Sequence, residues 1–237
     1  MELTKEKHRE KINKFIKKMP SLSTTVGKVL EICSKTDASP NELNKVISLD
    51  PVLTGQVLKL INSAYYSLIN KVTSLTRAIT MLGVNTVKNM ALSTAIIRSV
   101  GSTKKSKVLP TKQFWAHSIG TGVSSKLLGR ELDLPVMERE ELFVAGLLHD
   151  LGKVPFGDEY AEALSTARNE QTSLLQVEND LLGINHQEVG EIIAKKWGLN
   201  ELITNSIVFH HDIGSVPAEF RIKVAIVALG NVYANIF

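Results

Sequence analysis

Apolar residues recur every three or four positions from one end of this chain to the other. No stretch alternates polar and apolar residues for long enough to make a strand. A chain patterned this way buries helix stripes against helix stripes. The expected fold is therefore all-α. With 237 residues, 43% of them hydrophobic, the chain is long enough to close a substantial core, as one domain or two.

The helices can be placed in order. Residues 4–18 read as a basic amphipathic helix with Ile12, Phe15, Ile16 and Met19 on one side, stopped by Pro20. Its lysines are expected to form a solvated face of a helix packed on the domain, rather than a membrane or RNA contact. Ser23 to Ser34 follows with Val26, Val29, Leu30 and Cys33 at helical spacing. Cys33 is the only cysteine, which excludes an intrachain disulfide and suits a reducing cytosol; it is expected in the core. Ser39-Pro40-Asn41-Glu42 is a helix start with a serine cap, a proline at the first position and a glutamate returning to the cap. Asp50-Pro51 repeats the device. Gly55 in the helix that follows is expected to mark a close helix contact. Asn62-Ser63-Ala64-Tyr65-Tyr66 closes that helix, with Asn62 placed to cap it or bridge to a neighbour. Ser74 caps a helix stopped by Gly83, and Asn85 is expected to cap the next. This helix, turn and helix resembles a helix-turn-helix, but its second helix offers few long polar side chains beyond Lys88 and Asn89. A plain helical hairpin is expected, without nucleic-acid binding.

Gly, Ser, Thr and Lys fill residues 101–107, the clearest break in composition. It suggests an N-terminal helical subdomain over 1–107 and a second over 108–237. The second half reads as helices near 111–128, 142–148, 158–169, 172–182, 186–197, 201–211 and 222–236. The last runs to Phe237 without a stop signal, as in a chain trimmed from something longer. The charged N-terminus has no apolar stretch behind it, and no segment approaches the roughly 20 apolar residues of a membrane span. A cytoplasmic protein is expected. The formal net charge of +4 is modest and speaks for solubility before it speaks for nucleic acid.

Chemistry concentrates in that second half. Gly146-Leu147-Leu148-His149-Asp150-Leu151-Gly152-Lys153 sets a His-Asp pair at the polar end of an apolar run. Neighbours on a helix point about 100° apart, so the two side chains are better suited to approach one ion than each other. Five of the six histidines lie in this half, at 117, 149, 186, 210 and 211. Imidazoles and a carboxylate are ligands for divalent Zn, Fe, Mn or Ni, and helices hold them rigidly. His117, His149, Asp150, His186, His210 and His211 are therefore candidate ligands for one or two ions. A bridging Asp150 between two ions would activate a water. Lys153, just behind the pair, is a candidate phosphate contact.

His117, His149-Asp150, Gly152-Lys153, His186 and His210-His211 together resemble the HD superfamily of metal-dependent phosphohydrolases, specifically its HDOD branch, the HD-related output domain of bacterial signalling proteins. Ser48-Leu49-Asp50-Pro51, Asn62-Ser63-Ala64, Ala78-Ile79 and Leu82-Gly83 resemble the N-terminal helical region of that branch. The resemblance implies a two-part helical fold over about residues 15–237. In catalytic relatives the final helix carries a metal-binding aspartate, and here Asn231 stands in that place. An amide supplies an oxygen but no charge. The Gly-Tyr-Pro signature of the cyclic-dinucleotide hydrolases is also absent after His210-His211, where Asp212 to Pro217 runs Asp-Ile-Gly-Ser-Val-Pro. The resemblance thus implies a regulatory module that binds a protein partner in a signalling pathway, with an HD-like, non-catalytic metal site. The alternative is an active phosphohydrolase on a nucleotide or cyclic nucleotide.

Overall fold

The computed structural model of the chain describes residues 2–19, 24–33, 39–62, 68–101 and 111–236. Among them every regular element is a helix, so the fold is all-α. The expected stop at Pro20, the start at Ser23, the Cys33 side chain, Ser63 to Tyr66 and the break over 102–110 lie outside the described residues.

The chain divides into two compact units. One spans Leu22–Gly101 and contains α2 (Thr24–Cys33), α3 (Pro40–Ile47), α4 (Pro51–Ile61), α5 (Leu75–Leu82) and α6 (Val84–Gly101). Its core includes Val29, Leu43, Ile47, Val57, Ile79 and Val87, each fully buried. Burying such side chains contributes about 1.5–3 kcal/mol apiece before the entropy of ordering them is set against it. The serine cap of α3 forms as a reciprocal box, with Glu42 N donating to Ser39 Oγ at 3.2 Å and Ser39 N donating to Glu42 Oε2 at 3.4 Å. Asp50 Oδ1 accepts from Val52 N and Leu53 N at the start of α4. Asn62 is a bridge: its amide donates to Leu58 O and Val72 O, and its oxygen accepts from Val72 N, all at 2.8 Å. Two expectations fail here. Asn85 lies inside the first turn of α6, whose first residue is Val84, because Gly83 at φ +82° ends one helix and leads straight into the next. Gly55 marks no close contact: a Cβ there would meet nothing within 4 Å.

The other unit joins residues 1–21 to 102–237. It contains α1 (Glu2–Lys18), α7 (Thr111–Glu131), α8 (Val136–Leu148), α9 (Asp158–Asn169), α10 (Leu174–Leu182), α11 (His186–Trp197), α12 (Glu201–Phe209) and α13 (Arg221–Ile236), with 3-10 turns at Leu151–Phe156 and Ile213–Ser215. The first helix therefore groups with the histidine-bearing half and not with residues 22–101. Ile12, Ile16 and Met19 are buried as α1 packs against α10 and the Leu151–Phe156 turn. Lys196 of α11 donates to Ile16 O at 2.6 Å and Met19 O at 2.8 Å, a cation on the negative end of that helix.

Two glycine contacts bring the helices of this unit together. At Gly146 of α8 a Cβ would come within 2.8 Å of the Gly122 Cα, so α7 and α8 cross backbone to backbone. At Gly152 a Cβ would collide with the carbonyl oxygen of His186. Only glycine lets the turn after Asp150 lie against the first residue of α11.

Candidate metal centre

α8 ends at Leu148, so His149 and Asp150 stand at the junction with the 3-10 turn, buried where four segments meet. His117 comes from α7, and His186 from the start of α11, where Asn185 and Glu188 form a capping box. His210 and His211 follow the last residue of α12, which is two residues shorter than its apolar pattern suggests.

Asp150 is the hub. Its Oδ2 lies 3.3 Å from His149 Nε2 and 3.6 Å from His117 Nε2. Its Oδ1 lies 3.5 Å from His210 Nε2 and 3.7 Å from His186 Nε2. His211 lies beside this second pair, its ring centroid 4.1 Å from that of His210 and 5.3 Å from that of His186. The donor atoms thus fall into two bays around one carboxylate, His117–His149–Asp150 and His186–His210–His211, each with its ligand atoms within 4.8 Å of one another.

The hydrogen bonds fix which nitrogen of each ring is free. His149 Nδ1 lies 2.7 Å from Gly146 O, and His210 Nδ1 lies 3.0 Å from Ser206 O and Ile207 O. A carbonyl only accepts, so each Nδ1 carries a proton and Nε2 is the nitrogen left to face a metal. His186 Nδ1 likewise donates to Glu178 Oε2 at 2.7 Å. Burial, reinforced by Lys153, holds His186 well below the usual histidine range; burial also lowers His210. Burial, followed by the neighbouring His210, lowers His211 to about 4.

The Nε2 atoms of His149, His186 and His210 and the Oδ1 of Asp150 are buried without a hydrogen-bond partner. Buried polar atoms in a folded protein are nearly always satisfied, so four orphans aimed at one region call for an occupant. Two donors about 2.1 Å from one ion at tetrahedral angles lie about 3.4 Å apart, close to the separations found. Donor chemistry, tautomer and spacing all fit a divalent metal such as Zn, Fe, Mn or Ni.

Three further side chains complete the picture. Lys153 places its Nζ 2.6 Å from Asp150 Oδ2, almost fully buried and 5.6 Å from the centroid of the Tyr160 ring. Burial alone would raise the Asp150 carboxyl, but His149 and Lys153 overcome it and hold the group well below the usual range. The Oδ1 of Asn231 on α13 accepts from Asn235 Nδ2 at 3.2 Å, and among the described residues Asn231 makes no hydrogen bond to the cluster. Glu178 of α10 is absent from the sequence-based candidates. Its Oε2 accepts from both the backbone N of His186, at 2.9 Å, and its Nδ1. This carboxylate–histidine pair orients a candidate ligand from behind. Its signal was a carboxylate within the apolar stripe of Leu174, Val177 and Leu181, eight residues before His186.

A model of the HDOD domain matches residues 19–213. An HDOD domain protein from Geobacter sulfurreducens, of unknown function, superposes with a TM-score of 0.81 at 30% identity, covering 98% of this chain and 78% of that one. A provisionally named phosphohydrolase from Shewanella amazonensis superposes with a TM-score of 0.75 at 23% identity, covering 95% of this chain and 80% of that one. An uncharacterized protein of Treponema pallidum is 26% identical over 219 residues, 90% of this chain; the match spans only 41% of that relative. With a two-unit helical fold, a His/Asp cluster and a domain match over most of its length, the chain belongs to the HDOD family.

Proposed function

We propose that the chain is a cytoplasmic regulatory module that acts through a protein partner in a signalling pathway, around an HD-like metal centre that does not turn over substrate. Among the described residues no helix is long and apolar enough to cross a membrane. The observation that carries the reading is the state of the two residues catalysis would need. Asn231, in the place of a metal-binding aspartate, is paired with Asn235. Lys153, the candidate phosphate contact, is turned inward onto Asp150. A cation committed to a buried carboxylate is not free to meet an incoming phosphate, and a neutral amide gives weaker support to a metal than a carboxylate does.

The test is turnover. Protein loaded in turn with Mn, Fe, Zn and Ni is expected to hydrolyse none of a panel of nucleotides, cyclic nucleotides and simple phosphoesters. Metal-dependent hydrolysis that disappears in His149→Ala or Asp150→Ala would overturn the proposal in favour of an active phosphohydrolase.

A further inference from the structure

We infer that the centre takes a single divalent cation, held by His186, His210, His211 and the Oδ1 of Asp150, while the ammonium of Lys153 acts as a built-in second cation on the other oxygen of the same carboxylate. The inference rests on the metal-binding reading above and adds the number and place of the ion.

The two oxygens of Asp150 are not equivalent. Oδ2 is engaged by Lys153 Nζ at 2.6 Å, whereas Oδ1 is buried with no partner. The two nitrogens facing Oδ1, on His186 and His210, are bare and buried as well. Behind this bay stands Glu178, whose carboxylate fixes the His186 ring through its Nδ1 and raises the basicity of the nitrogen that faces the ion. His211 adds a further donor from the solvent-facing side. The opposite bay offers His149, whose Nε2 is also buried without a partner, the half-buried His117 and an oxygen already taken by an ammonium. Asn231, the residue expected to complete it, is hydrogen-bonded to Asn235.

Charge leads to the same assignment. The centre holds two buried carboxylates, Asp150 and Glu178, and one buried ammonium, Lys153. One divalent ion together with Lys153 already outweighs both carboxylates. A second ion would sit beside the ammonium with no carboxylate left to face, in a pocket where unbalanced charge is poorly screened. Lysine therefore does here what a metal does in a two-ion site: it neutralises one side of the bridging carboxylate. Unlike a metal it offers no open coordination position and cannot activate a water.

The experiment counts ions on the full chain. Protein stripped with a chelator is titrated with Mn or Zn alone by calorimetry, and its metal content after desalting is measured by plasma mass spectrometry. Wild type is expected to bind one equivalent. His211→Ala, a change at an exposed position, is expected to weaken that ion on the order of tenfold or more. Lys153→Met is expected to raise the capacity to two equivalents by freeing Oδ2. Two equivalents in wild type, an unchanged affinity in His211→Ala, or a folded Lys153→Met that still takes one would each overturn the inference. If Lys153→Met does not fold, the wild-type stoichiometry and His211→Ala still decide. A wild type that binds no metal would remove the underlying reading too, an outcome distinct from binding the wrong number.

Discussion

Replacing Glu178 with glutamine separates the metal-supporting role of this carboxylate from its effect on folding, because the two effects are expected to have opposite signs. Glu178 Oε2 accepts two hydrogen bonds from His186, at 2.9 and 2.7 Å. Alanine would strand both buried donors at a cost of about 1–3 kcal/mol each, enough to confuse loss of metal with loss of fold. Glutamine keeps a carbonyl oxygen for both bonds and removes the charge; its amide NH2 replaces Oε1, which is buried without a partner, at a cost that does not vary with pH. In the metal-free protein, burial raises the Glu178 carboxyl from 4.5 to about 7, against the lowering influence of the His186 backbone bond. A raised folded-state pKa gives stability that is fully present below the unfolded value of 4.5 and is lost as pH rises through about 7. The shift corresponds to about 3 kcal/mol across that window. Glutamine resembles the protonated form at every pH and escapes the loss. Metal-free Glu178→Gln is therefore expected to gain stability relative to wild type as pH rises from 5 to 8. The same variant is expected to bind metal about 10–100-fold more weakly at pH 8, because the His186 ring loses its anionic support. Urea unfolding of chelator-treated protein at both pH values, with a competitive chelator titration at pH 8, reads both effects. A stability difference that does not grow with pH, or an unchanged metal affinity, would refute the reasoning.

Two glycines make opposite predictions. Gly152→Ala places a methyl group against the His186 carbonyl oxygen, backbone that cannot move without shifting a candidate ligand. A loss of about 2 kcal/mol or more is expected in denaturant unfolding, with weakened metal binding in whatever folds; a variant as stable as wild type would show that the approach is looser than described. Gly55→Ala adds a methyl with nothing within 4 Å in the middle of α4. It is expected to stabilise by up to about 1 kcal/mol, and a destabilised variant in the same assay would mean that the position is not open.

Much of the architecture was legible because helix starts are chemically local. Ser39 and Glu42 close a box three residues apart, and Asp50 caps α4 from within its own turn, so sequence spacing alone finds them. The His149-Asp150 pair is legible for the same reason, as two polar residues at the end of an apolar helix. What spacing does not carry is the identity of the partner across the fold. Gly55 and Gly152 are the same residue type, yet one faces open space and the other a carbonyl oxygen. The first helix is amphipathic whichever neighbour it covers, and only the fold shows its apolar side on α10, with Lys196 at its end.

The same distinction applies inside the candidate metal centre. Histidines announce a site because their chemistry is rare enough for several in one half of a chain to stand out. The charge state of the site is set by commoner residues, Lys153 and Glu178, whose roles depend on direction. Lys153 turned outward would be a solvated lysine or a phosphate contact; turned inward it neutralises Asp150. Glu178 on the other side of α10 would be an ordinary surface carboxylate; within the apolar stripe it holds the His186 ring. Between them they decide how many positive charges Asp150 has left to accept. A catalytic centre needs that capacity for a second ion or a substrate phosphate, whereas a centre that only binds can use it up internally. Lys153 and Glu178 therefore bear more directly on whether this centre can do chemistry than the histidines that draw attention to it.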